Sequence, residues 1–116
     1  NRGKRMPERF DLSRPENQAK IDVVEDLAVL AEKADLSLIH LALAFVLQHP
    51  AVTAPIIGPR TMEQLESQLG AEDVRLDTEI LDSIDEIVAP GQIVGGTGSY
   101  GSDALTDPFL RRRRVA

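Results

Sequence analysis

The sequence has no cysteine and no tryptophan, and its aromatic residues are three phenylalanines and one tyrosine. Without thiols there are no disulfides, no thiolate nucleophile and no cysteine-ligated zinc. With so few rings there is no stacking platform for single-stranded nucleic acid. No apolar run approaches the roughly 18 residues needed to cross a bilayer, and no basic-then-apolar secretory pattern follows Asn1. A cytoplasmic protein is expected. His40 and His49 have no partners at metal-ligand spacing, so no metal site is expected. The first reads as a helix-surface imidazole and the second as a cap at a helix C-terminus.

What is present is an aliphatic chain of one-domain length, 116 residues that are 42% hydrophobic and 28% charged, the composition of a folded chain. The net charge of −6 is unevenly spread. Basic residues gather in 1–15 and at Arg111 to Arg114, whereas 16–108 set only Lys20, Lys33, Arg60 and Arg75 against 17 of the 19 carboxylates. An acidic body of this kind repels a duplex, and the terminal clusters are short, so no nucleic-acid partner is expected.

Residues 1–15 are charged, proline-punctuated and aperiodic, as a loop would be. Over 16–34, Ile21, Val24, Leu27, Ala28, Ala31 and Ala34 recur at helical spacing and predict a helix with one buried stripe. Ser37 is placed to cap a second helix ending before Pro50, with Leu36 and Leu41 positioned as a hydrophobic staple. That helix is apolar nearly all round, so helices fill 16–49. The run 52–58, Val-Thr-Ala-Pro-Ile-Ile-Gly, predicts one buried strand, although Pro55 lacks a ladder donor. Thr61 and Gln64 form a capping-box pattern opening a helix that Gly70 should stop. A further helix follows Asp77, with Ile80, Ile84, Ile87 and Val88 inward, so that helices occupy 61–88 and an irregular tail 89–116.

A single strand cannot satisfy its own backbone, and each buried unpaired group costs about 1–3 kcal/mol. The expectation is therefore an α/β fragment, mostly helical as an isolated chain with one strand, whose companion strands lie upstream. Chemistry concentrates at the turn between that strand and the next helix. Gly58 admits close approach, the first amides of the helix are unpaired by construction, and Arg60 brings a fork that suits phosphate. Gln64 and Gln68 share one helix face and reach toward an adenine or ribose. The same residues also suit a surface arginine beside an ordinary capped helix. Tyr100 sits in a glycine-rich tail, Gly95-Gly96-Thr97-Gly98 lacks the Lys-Ser/Thr of a phosphate loop, and Asp85 and Glu86 read as a solvated face.

The run from His49 to Glu66, with Ile56-Ile57-Gly58-Pro59-Arg60-Thr61-Met62-Glu63-Gln64 at its centre, resembles the C-terminal cofactor-binding signature of the aldo/keto reductase family. Residues 38–47 are similar to that family's seventh barrel helix, 81–91 to its closing segment, and 104–113 to the tails of some bacterial members. The resemblance implies a (β/α)8 TIM barrel with NADP(H) across the C-terminal ends of its strands. It makes 52–57 the eighth strand, 61–69 the eighth helix and 77–88 an extra helix. Gly58, Arg60 and Thr61 would face the adenosine 2′-phosphate, with Gln64 and Gln68 nearer the ribose and base; Gln68 stands where the family commonly has asparagine. The family's catalytic Asp, Tyr, Lys and His come from earlier strands, so no catalytic residue is expected here.

Two functions follow as expectations. In the first, the chain is the C-terminal segment of an NADP(H)-dependent carbonyl reductase, holding part of the cofactor site, inactive alone, and partnered by the missing N-terminal barrel portion. In the second, it is a small helical interaction module that self-associates through exposed apolar surface.

Overall fold

The computed structural model describes residues 4, 6–96 and 102–107, the side chains of Ala104 and Leu105 excepted. Tyr100, Thr97 and Gly98, the Arg111 to Arg114 cluster and most of the family-like tail lie outside the described residues. Four helices carry the fold: α1 (Pro15–Lys33), α2 (Leu38–Leu47), α3 (Met62–Leu69) and α4 (Thr78–Ile87). Pro7–Arg9 forms one 3₁₀ turn in the leading loop, and a short α5 (Asp103–Thr106) lies in the tail that was expected to be irregular throughout.

The helix starts follow from local chemistry. Pro15 opens α1 where no amide donor is needed. Ser37, Thr61 and Asp77 each cap their helix by accepting from the amide three residues on, at 3.1, 3.2 and 2.8 Å. The end of α1 is a Schellman turn, in which the Asp35 amide donates to Glu32 and the Leu36 amide to Ala31. Asp35 takes the left-handed position with φ 55°, which costs a residue bearing a Cβ about 1–2 kcal/mol. Asp35→Gly is therefore expected to stabilise the chain by about 0.5–1 kcal/mol, after the added freedom of the unfolded glycine is deducted. Urea unfolding would show it as a raised midpoint at unchanged slope.

The core lies where α1, α2 and α4 meet. Ala31, Leu41, Ala44, Leu76, Leu81 and Ile84 are buried, with Leu27, Leu30, Leu36 and Phe45 packed around them. Both members of the expected staple, Leu36 and Leu41, belong to this cluster. The stripe expected along α1 is only partly realised. Ile21, Val24 and Ala28 are exposed, because only the C-terminal half of α1 meets apolar neighbours, and Leu30 packs where Ala28 was expected. In α4, Leu81 joins Ile84 as a buried residue while Ile80 and Ile87, and Val88 at the C-cap, are half-buried.

Two buried amide side chains tie loops to helices. Asn17 Nδ2 donates to the carbonyls of Glu8 and Asp11 at 2.8 and 2.9 Å, holding the leading loop on α1. Gln48, 4% exposed, pairs with the backbone of Leu76 in both directions. Its Nε2 donates to the Leu76 carbonyl at 2.9 Å, and its Oε1 accepts from the Leu76 amide at 2.6 Å. After α4 the chain returns to the start of α1, where Gly95, at φ +67°, lies so close to Glu16 that a Cβ would stand 2.0 Å from its carbonyl oxygen. Backbone packing explains the glycine there.

The strand expected over 52–58 is absent. Those residues form neither helix nor ladder, and no strand occurs among the described residues. Strand pairing requires a neighbour, and the described chain offers none. Ile56 consequently stands fully exposed. Gly70 reaches its stop without the left-handed turn that glycine usually provides. It ends the α-helix as expected, since α3 stops at Leu69 with Gly70 as its C-cap, but it stays right-handed, with φ −59° and ψ −15°, and opens a 3₁₀ turn over Gly70–Asp73. That turn buries Ala71 and places Gly70 beside the His40 ring.

In the leading loop, Asp11 titrates below the ordinary carboxylate range because the Ser13 hydroxyl and amide donate to it. Glu16 does so because its own amide donates to its carboxylate, with Arg14 alongside. A depressed folded value means the contribution holds above the ordinary carboxylate pKa and fades as pH falls through the lowered one. A carbon-13 titration should show these two side chains protonating below the ordinary carboxylate midpoint as the solution is acidified.

Candidate functional site

The turn preceding α3 brings together the residues singled out in the sequence. Gly58 is exposed, and a Cβ placed on it would meet nothing within 4 Å, so this stretch of backbone is open to a ligand. Arg60 is exposed, and among the described residues its guanidinium has neither an ion pair nor a hydrogen bond. Thr61 caps α3. The amides of Thr61, Met62 and Glu63 have no partner among the described residues, as expected for the first turn of a helix. Guanidinium and free amides thus share one exposed corner, with the positive end of the helix dipole behind it.

Gln64 differs from the capping box expected of it. Its Oε1 reaches one residue further back than the cap and accepts from the Arg60 amide at 2.8 Å. Its own amide donates to Thr61 Oγ1 at 3.2 Å. Gln68 stands one helical turn beyond on the same face and is half-buried. The corner is therefore contiguous from Gly58 to Gln64, with Gln68 at its far edge. Sequence reasoning overlooked what holds α3 in place. His40 Nε2 donates to the Ser67 carbonyl at 2.7 Å, linking α2 to α3, so this imidazole is a tether and not merely a surface group.

A second feature lies on the other side of α2. Between α2 and the end of α4 runs an apolar cleft of about 460 Å³, lined by Leu38, Phe45, Val46, His49, Val88 and Pro90 among others. His49 accepts from the Ala51 amide through Nδ1 at 3.2 Å, which places the proton of the neutral ring on Nε2. That Nε2 is buried and has no partner among the described residues. Asp85, expected on a solvated face, is half-buried and lines the same cleft. No group of three or more histidine or acidic side chains among the described residues could hold a metal ion. No helix of the described chain is long and apolar enough to cross a membrane.

Comparison with known proteins agrees with the motif at the turn. The profile of the aldo/keto reductase family matches residues 1–89. An uncharacterized oxidoreductase of Bacillus subtilis, YrpG, is 41% identical over 88 residues, which cover 75% of this chain and 26% of that protein. A protein of Glycine max named "Probable aldo-keto reductase 1" is 34% identical over 82 residues, 71% of this chain and 24% of that one. The chain spans about a quarter of the length of these relatives. With more than half of its residues matched, the chain belongs to the aldo/keto reductase family.

Proposed function

We propose that the chain supplies the adenosine 2′-phosphate end of an NADP(H) site within an aldo/keto reductase barrel. Membership implies a TIM barrel and a nicotinamide cofactor in general; the 2′-phosphate is the finer step. The observation that carries it is the exposed corner at Gly58, Arg60 and Thr61, where open backbone meets a guanidinium and first-turn amides that have no partner among the described residues. Such a corner fits a phosphate: the guanidinium gives two parallel donors, and the first-turn amides supply the rest. When bound, the nicotinamide end supplies hydride for carbonyl reduction. This chain's part is to hold the distant phosphate, with Gln64 and Gln68 toward the ribose and base, and it has no turnover by itself. Immobilised adenosine 2′,5′-bisphosphate should retain the chain and release it to NADP⁺ but not to NAD⁺. Passage of the chain without retention would contradict the proposal.

The partner is the remainder of the barrel, seated in the cleft between α2 and α4. Three features of the cleft support it. Its lining is apolar, the buried His49 Nε2–H has no acceptor among the described residues, and the strandless run 52–58 adjoins it in sequence. Co-expression with the upstream strand-and-helix portion of a family member should give a one-to-one complex in which Phe45 and Val46 are shielded. Concentration-dependent association of the chain with itself would instead favour the self-associating module.

A further inference from the structure

We propose that residues 108–114 of this chain, Pro-Phe-Leu followed by Arg111 to Arg114, cover the apolar cleft between α2 and α4 in the free chain. The cleft has two walls, with Phe45 and Val46 on α2 and Val88 and Pro90 at the end of α4. Its volume is about 460 Å³, within the roughly 300–1,000 Å³ of cavities that bury an occupant. Contiguous apolar surface of this kind marks a place of contact.

The charge around the cleft narrows the choice of occupant. Both helices end beside it, α2 with Gln48 and α4 with Val88 as C-cap, so the negative ends of two helix dipoles lie at its edge. A basic residue in the last turn would answer each dipole, and neither helix has one. In α4 the reverse holds. Asp85 and Glu86 stand in its last turn, where a carboxylate opposes the dipole, and Asp85 lines the cleft itself. Among the described residues no lysine or arginine lines the cleft. The occupant that fits is therefore apolar at one end and cationic at the other.

The sequence supplies that pattern at 108–114, where four arginines directly follow Phe109 and Leu110. The leading loop, which also mixes apolar and basic residues, is already held against the start of α1 through Asn17. Asp107, just before Pro108, is extended at φ −74° and ψ 122°, as is usual before proline. Neighbouring side chains of an extended segment point to opposite sides, so Phe109 and Leu110 suit a cleft with two apolar walls. The arginines that follow would then lie toward Asp85 and Glu86. Residues 93–107 tie this segment to Gln92, which lines the cleft. Seating is therefore intramolecular, with an effective concentration on the order of millimolar.

The inference goes beyond the proposed function and meets it at one point: the rest of the barrel is proposed to seat in the same cleft, so the tail has to leave before that partner enters. The absence of cysteine allows a single nitroxide to be attached at Val115→Cys in the otherwise unaltered chain. Methyl NMR of the free chain should show Val46 and Val88 broadened by the label. The Met62 methyl, in α3 on the far side of α2, should stay sharp. Phe109→Ser with Leu110→Ser should abolish the broadening, and Asp85→Asn with Glu86→Gln should weaken it. Cleft methyls that stay sharp in the parent, or broadening retained in full in either double variant, would overturn the proposal. So would broadening seen only when label and observed methyls are on different chains, which would assign the cleft to a second copy. Broadening in a free chain that forms no complex with the upstream barrel portion would leave the tail assignment standing and contradict the barrel partner instead.

Discussion

Gln48→Leu is expected to destabilise the chain by about 2–4 kcal/mol. The wild-type amide answers the backbone of Leu76 in both directions from a site that is 4% exposed. Leucine would leave a buried N–H and a buried C=O unpaired, at about 1–3 kcal/mol each, offset in part by its own apolar burial. Domains of this size have only about 5–15 kcal/mol in total. Urea unfolding followed by helical circular dichroism should show a much lower midpoint. Gln48→Glu should be comparably damaging, because it keeps the acceptor for the Leu76 amide, removes the donor for the carbonyl and places a charge in the core. A midpoint unchanged in both variants would show that the Gln48–Leu76 pairing contributes nothing to holding α2 against the segment before α4.

Arg60→Ala is expected to weaken binding of a 2′-phosphorylated adenosine by roughly 10- to 100-fold. A hydrogen bond to a charged group is worth about 1.5–3 kcal/mol, and each 1.4 kcal/mol is a factor of ten. Since the guanidinium has no partner among the described residues and is exposed, its removal should leave the unfolding midpoint within about 0.5 kcal/mol of the parent. Lysine at the same position should restore part of the affinity, as a point charge without the bidentate fork. Binding of adenosine 5′-monophosphate should change little. Equal losses for both nucleotides in calorimetry would show that Arg60 does not read the 2′ position.

The parts legible in the sequence were those decided within a few residues. Ser37, Thr61 and Asp77 each cap the helix they were expected to start, because a cap depends on an oxygen and an amide three residues apart. Gly58, Arg60 and Thr61 fall at one turn for the same local reason. Gly70 ends α3 as expected, but the 3₁₀ turn that follows it and buries Ala71 is not encoded in the glycine pattern. Gln48 was illegible for a different reason: its partner is 28 residues away and is backbone, which leaves no side-chain pattern to find. The sequence signal was a polar residue closing a helix whose last seven residues are apolar.

Residues 52–58 show the limit most plainly. Their β-branched, apolar composition suits a strand among neighbouring strands, and no strand occurs among the described residues, so composition and conformation disagree. Ile56 stands fully exposed, and the buried His49 Nε2 has no partner among the described residues. At the turn before α3, the closeness of Arg60 and Gln64 was legible from their spacing, but the direction of the Gln64 amide was not. It depends on the Arg60 N–H turning toward the helix, a backbone orientation that residue types alone do not specify.

The most direct test of the account is phosphorus NMR of adenosine 2′,5′-bisphosphate titrated with the chain, since the ligand itself reports which phosphate is held. The 2′-phosphate resonance should move and broaden with the wild-type chain and stay in place with Arg60→Ala. Movement of the 5′-phosphate alone, or an identical response from both chains, would contradict the assignment of this corner to the 2′-phosphate.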